Sequence, residues 1–370
     1  GIREVARLKA EVAAQQAANE EFAQRNRQLA AEVSDLKNGM TALEERARIK
    51  TQPGIGPVKV SQDGRWGITV NTSADKVVIF DIAPAMSRIR DVASDVKMVQ
   101  GNLSYASEVF NVVRDNKIDR ILHLGSMLSA PSDANPWAAF QVNVVGTVNV
   151  LEAARLFGGA MVVFPSTIAT FGLDTDRVAD DATVQHPTTM YGCGKAYCEN
   201  LGRFYRAKFG VDFRGIRFPS VIGPGAKVRH VSQYNAWMLE YPLRGKPFEC
   251  FVTPETKMPT MYFKDAAHAV DSIADAPRES IVTVNYNVAG ITPTTSAKEI
   301  ENVVRRHVPE AQITYKPDPV IMEYYKAFKI DTFDDRRARK EWGWCPAYPD
   351  IDTVLLDFKA ELTEHPDWYA

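Results

Sequence analysis

Two hydrophobic rhythms divide this chain near residue 50. Up to Lys50, apolar residues recur at spacings of three and four, from Val5, Leu8 and Val12 to Leu36, Met40 and Leu43. A narrow seam of period 3.5 predicts a coiled coil over residues 1–50. The stretch holds no Pro and is rich in Ala, Glu, Gln, Arg and Leu, all good helix formers. With Val5 at heptad position a, Asn19 and Asn26 also fall at a, where Asn fixes register and favours a parallel dimer. The plainer alternative is one amphipathic helix packed on its own domain.

Beyond TQPGIGP (51–57), which cannot continue a helix, short apolar runs alternate with helical ones. Strands are predicted at 77–82 (VVIFDI), 120–126 (RILHLGS), 160–166 (AMVVFPS) and 212–219 (DFRGIRFP). Helices are predicted over 105–116, 133–157 and 191–209. Strands separated by helices of this length imply βαβ units. The expected fold class is α/β: a Rossmann-like, doubly wound parallel sheet with a smaller C-terminal substrate-binding region, preceded by the coiled-coil helix. The expected domains are 1–50, a junction at 51–75, and a body at 76–370 with its substrate region mainly at 220–345.

Composition narrows the class of partner. Of the 370 residues, 45% are apolar and 24% charged, so the chain can bury a sizeable core. Forty-four Lys and Arg against 46 Asp and Glu give a net charge of −2, with no bulk positive field for nucleic acid or an anionic membrane. No apolar run is long enough to span a bilayer, and no secretory leader is expected. Cys193, Cys198, Cys250 and Cys345 form no CxxC pair or metal-ligand spacing, which suits free thiols in a reducing cytoplasm. Cys193 and Cys198 are expected to be packed thiols. The histidines are scattered, and no metal site is expected.

The candidate chemistry centres on Tyr191-Gly-Cys-Gly-Lys195. Tyr and Lys at i and i+4 share one helix face. An ammonium beside a phenol favours the phenolate and lowers its pKa from about 10, so Tyr191 can exchange a proton with an alcohol. A surface Tyr–Lys pair is the bland alternative. Ser166 and Thr167 stand just past a predicted strand, at the end of a parallel sheet where α/β sites are built. Asn143 lies mid-helix between valines, against its preference for caps and turns; a satisfied core polar residue is its simpler reading. Asp81 ends VVIFDI, where a carboxylate suits a ribose diol and repels a 2′-phosphate. His123 is core or cofactor-facing.

HLGSMLSA, NVVGTVNVLEAAR, FPSTIATFG, PTTMYGCGK and RFPSVIGPG, in this order and spacing, resemble the extended short-chain dehydrogenase/reductase superfamily. KPFECFVTPETKMPTMYFKDAAHA, YNVAG and DDRRARKEWGWCP resemble its epimerase-like L-threonine 3-dehydrogenase branch. The resemblance runs from about Asp75 to Asp357. It implies an NAD-dependent oxidoreductase acting on a small amino acid, L-threonine, as a homodimer. It implies Tyr191 as acid/base, Lys195 as its partner, Thr167 as the hydroxyl orienting the substrate with Ser166 as near alternative, and Asn143 supporting a proton relay. It places Ser129 at the substrate. At the cofactor it places Asp81, Asn102, His123, Leu124, Gly125 and Pro219. A nucleotide-sugar epimerase or dehydratase is the rival enzyme reading, and a non-catalytic coiled-coil fusion the rival of another class. Residues 1 to about 50 resemble the coiled coil of the bacterial septum-formation initiator family.

The family opens with a strand, a G-x-x-G-x-x-G turn and a helix that together hold a diphosphate. No such unit precedes Asp81 here. Gly54 and Gly56 lack a buried strand before them, and GITV (67–70) leaves no room for a helix before VVIF. The first βα unit is expected to be deleted or replaced, with GITV as the one candidate for its strand.

Overall fold

The computed structural model describes residues 67–71, 76–82, 96–227, 229–366 and 369. The expected coiled coil at 1–50, and most of the junction at 51–75, lie outside these residues.

Seven strands form the main sheet: β1 (Gly67–Asn71), β2 (Lys76–Asp81), β3 (Val96–Gln100), β4 (Arg120–Leu122), β5 (Met161–Thr167), β6 (Phe213–Phe218) and β7 (Asn285–Asn287). Their spatial order is β3-β2-β1-β4-β5-β6-β7. β2 through β7 run in one direction. β1 alone is reversed: it pairs antiparallel with β2 (Gly67 opposite Phe80) and with β4 (Ile68 opposite Leu122). GITV thus takes the centre of the sheet, but upside down relative to a doubly wound fold.

The parallel strands are apolar on both faces because both faces are covered. Val78, Phe80, Ile121 and Val162 point to one side, against Val109 and Val113 of α1 (Ala106–Asp115) and Leu151 of a later helix. Ile79, Leu122, Val163 and Ile216 point to the other, against Val270, Ile273 and Trp344. Trp344 donates its indole N–H to the Ala289 carbonyl, which pins the C-terminal tail on the sheet.

The single helix expected over 133–157 is divided. α2 (Ser129–Ala134) stops at Asn135, whose φ of −140° and ψ of 80° leave the helical region. The reason is local: a residue before proline avoids helical geometry, and Pro136 then starts α3 (Pro136–Ala139) with Asn135 as its cap. α3 runs on through a π-helical stretch at Phe140–Val145 into α4 (Gly146–Leu156). α5 (Met190–Phe209) carries the Tyr191 motif and ends on Gly210 at a φ of 74°.

The C-terminal region contributes α6 (Tyr234–Leu243), α7 (Phe263–Asp275), α8 (Ala297–His307), α9 (Pro319–Ala327), α10 (Arg336–Trp342) and α11 (Ile351–Glu364). Tyr234, Leu239, Phe251, Ile300, Val354 and Phe358 form its separate core.

Candidate active site

The C-terminal edge of the parallel strands gathers most of the candidate residues. Asp81 ends β2, residues 123–126 follow β4, Thr167 ends β5 and Pro219 follows β6. α5 delivers Tyr191 to this edge. The close approach needs a glycine: a Cβ at Gly192 would stand 2.4 Å from the Ala169 carbonyl, in the turn after β5. Thr189 caps α5 by accepting from the Gly192 N–H at 3.1 Å.

Lys195 stands one turn beyond Tyr191. Its Nζ is buried, donates to the Pro165 carbonyl at 2.8 Å, and lies 4.5 Å from the Phe164 ring centre and 5.6 Å from that of Tyr191. Burial holds the Lys195 ammonium down at about 8, against 10.5 ordinarily. The Tyr191 phenol, however, is pushed up to about 12, contrary to the lowering expected from the motif. Burial of the hydroxyl outweighs the nearby Ser126 hydroxyl, which pulls the other way. Lys195 directs its ammonium to Pro165 and is not among the groups that shift Tyr191.

The shifted lysine yields a stability prediction. A Lys pKa below its unfolded value penalises the folded state fully below pH 8 and is relieved as pH rises from 8 to 10.5. Lys195→Met is therefore expected to raise stability at neutral pH by roughly 1–3 kcal/mol, the gap closing near pH 10.5. Urea titrations of both proteins across that range check this. A less stable variant at neutral pH refutes it.

The two hydroxyls after β5 are not equivalent. Ser166 is buried and donates to Glu199, which turns its hydroxyl to the interior. Glu199 also holds Arg217 through a bidentate pair at 2.6–3.0 Å and accepts from Gln185 at 3.0 Å. Thr167 is half-buried, and its Oγ1 accepts the Ala169 N–H at 3.2 Å, which leaves its own O–H to donate.

Asn143 holds a loop of the site through its side-chain amide. Its amide pairs with both backbone groups of Met127: Oδ1 accepts the N–H at 2.7 Å and Nδ2 donates to the carbonyl at 2.9 Å. The side chain thus fixes the loop after β4. Its carbonyl, in the π-helical stretch, accepts from Thr147 at 2.6 Å and from Cys198 at 3.3 Å. That loop carries Ser126, the phenol's partner, which sequence reasoning passed over in favour of Ser129. Position past a strand end was the available signal. Ser129 opens α2 and is half-buried.

The cofactor candidates divide likewise. Asp81 is buried at the end of β2, as a ribose ligand requires, and its carbonyl accepts the Gly101 N–H at 2.9 Å. Asn102 turns its side-chain oxygen to the Ser104 N–H at 2.9 Å, shaping the entry to α1. His123 is a core residue and not a cofactor-facing side chain: buried, it contacts Thr147 at 2.9 Å, and burial drives its pKa down to about 3, so it is neutral. Leu124 and Gly125 continue the same loop. Pro219 borders a cavity of about 120 Å³ shared with Thr260, Gly290, Thr294 and Phe333, within the expected substrate region. Cys193 is exposed, a correction to its reading as packed, while Cys198 is buried. Among the described residues no cluster of His, Cys, Asp or Glu is arranged to hold a metal, and no helix is long and apolar enough to cross a membrane.

A dinucleotide can therefore be tested against the edge piece by piece. Asp81 and the Tyr191–Lys195 pair are the groups that would hold the two riboses of such a cofactor, Asp81 at the end of β2 and the pair on α5. The diphosphate position does not follow the usual plan, because β1 is reversed.

A sheet of this strand order, with Tyr and Lys on the helix after β5, defines the short-chain dehydrogenase class. Residues 69–289 match the model of the NAD dependent epimerase/dehydratase family, and the chain belongs to that family. Residues 1–52 match the septum formation initiator model. The chain is 35% identical over 254 residues to the mitochondrial L-threonine 3-dehydrogenase of Bos taurus, covering 67% of this chain and 66% of that protein. It thus spans just under two thirds of the length of this relative. Among solved structures, the holo form of the GalE-like L-threonine dehydrogenase of Cupriavidus necator matches with a TM-score of 0.70 and 30% identity, over 77% of this chain and 90% of that one. The L-threonine dehydrogenase of Clostridium difficile matches with a TM-score of 0.68 and 29% identity, over 74% and 85%.

Proposed function

We propose that the chain is an NAD-dependent dehydrogenase that oxidises the C3 hydroxyl of L-threonine to give 2-amino-3-ketobutyrate. The observation that carries this is Lys195, buried one turn beyond Tyr191 on the same helix with its ammonium 5.6 Å from the phenol ring centre. Bound NAD supplies the hydride acceptor.

The Tyr191 phenolate takes the C3 hydroxyl proton as the C3–H bond gives up its hydride, so a C–H and an O–H bond become one C=O. Thr167 donates a hydrogen bond to the same oxygen and orients it. Lys195 keeps its ammonium on the Pro165 carbonyl one turn along the helix, where it can meet a ribose hydroxyl of the dinucleotide. Asn143 and Met127 keep the Ser126 loop in place. Ser129 and the cavity beyond Pro219 stand where substrate groups can be recognised.

The working form is a homodimer. Trp137, Tyr197 and Phe204 are 71%, 54% and 52% exposed on α3 and α5, which supports a helical interface between copies. The septum-initiator match supports residues 1–50 as a second, coiled-coil dimerising segment. Four free cysteines support a reducing compartment, the cytoplasm.

L-threonine deuterated at C3, incubated with NAD and the chain, tests the reaction. Deuterium appearing in NADH is the expected result. Deuterium retained in threonine, with turnover of a nucleotide sugar in a parallel incubation, would replace this reading by the epimerase one.

A further inference from the structure

The strand between β2 and β4 is where a doubly wound dinucleotide site normally begins. A parallel strand there ends in a turn, and the following helix aims its N-terminal N–H groups and positive dipole end at the diphosphate. In this chain that strand is antiparallel to both neighbours. Gly67, its first residue, faces Phe80 near the C-terminal end of β2, so the chain enters β1 at the very edge where the turn should leave it. β1 then exits at the opposite edge, where Asn71 pairs with Lys76. Only four residues, 72–75, separate the two strands. A hairpin needs no more, whereas a helical crossover needs a dozen or more. Among the described residues, no helix N-terminus follows β1 at the edge that holds Asp81 and Thr167.

The two ends of the site survive this reversal because neither depends on β1's direction. Asp81 belongs to β2, and Tyr191 and Lys195 belong to α5. We propose that this chain recognises a dinucleotide through its two ribosyl ends, at Asp81 and at Tyr191–Lys195, and that its described residues contribute no strand–turn–helix cradle to the diphosphate between them. This rests on the NAD reading above, and it makes the diphosphate energetically near-silent.

Adenosine and ADP differ only by that group, so calorimetric titration of the full chain with each isolates it, with NAD titrated alongside. The expected result is saturable NAD binding with ADP no more than about threefold tighter than adenosine, and no displacement of NAD by inorganic pyrophosphate. A helix N-terminus with charge-assisted bonds to the diphosphate is expected instead to favour ADP by thirtyfold or more. ADP binding at least that much tighter than adenosine overturns the inference and leaves the NAD reading intact. Failure of NAD itself to saturate overturns both, and is distinguishable because it appears in the NAD titration alone.

Discussion

Glu199→Ala is expected to cost the folded protein about 3–5 kcal/mol, the range for removing one partner of a buried ion pair. Glu199 and Arg217 are almost wholly buried, so bulk solvent cannot take over from the carboxylate. The substitution strands the Arg217 guanidinium, and it also takes the acceptor from Ser166 and Gln185. For a body of this size the melting temperature should fall by roughly 10 °C. The effect should reach the site as well, because Glu199 ties α5 to the end of β5 and to β6 next to Pro219. Replacing Glu199 and Arg217 together by Leu and Met should cost much less, since no charge is then left unpaired. Thermal and urea unfolding of the three proteins measure this. A loss under about 1 kcal/mol in Glu199→Ala would show that the network does not hold the sheet edge together.

Tyr191→Phe is expected to reduce kcat by 10²–10⁴-fold, the usual contribution of a positioned acid/base group. Only the hydroxyl is removed, so the ring keeps its packing and the melting temperature should stay within about 2 °C. Ser126→Ala probes the same oxygen from the other side. It removes the hydroxyl that opposes the upward shift of the phenol, so the alkaline rise in rate should move to higher pH. A Tyr191→Phe enzyme with unchanged kcat would remove the phenol from the chemistry.

Much of this arrangement is legible in the residues. Apolar runs such as VVIF and MVVF have nowhere to go but a sheet covered on both faces, and the parallel direction follows from the helices between them. The Tyr191–Lys195 spacing also reads directly, because a helix turn fixes which residues share a face. Choices made by tertiary contacts do not read this way. Ser166 and Thr167 are adjacent hydroxyls, and only the presence of Glu199, 33 residues on, decides which is withdrawn into the interior. Asn143 is singled out by its unusual place in a helix and the resemblance implies a relay role for it, whereas its partner, the Met127 backbone, is not visible in the sequence. The upward shift of Tyr191 depends on burial, which no local spacing records. The reversed β1 was half legible: the short gap between GITV and VVIF excludes a helix, but only the register shows the strand filling the centre of the sheet.

NADH formation by the full chain, supplied with L-threonine and NAD and compared with Tyr191→Phe under identical conditions, tests the central claim most directly. The expected result is NADH accumulating with L-threonine concentration in the parent protein and falling by at least a hundredfold in the variant. Absence of NADH from the parent protein at saturating L-threonine and NAD, or equal rates in both proteins, would contradict it.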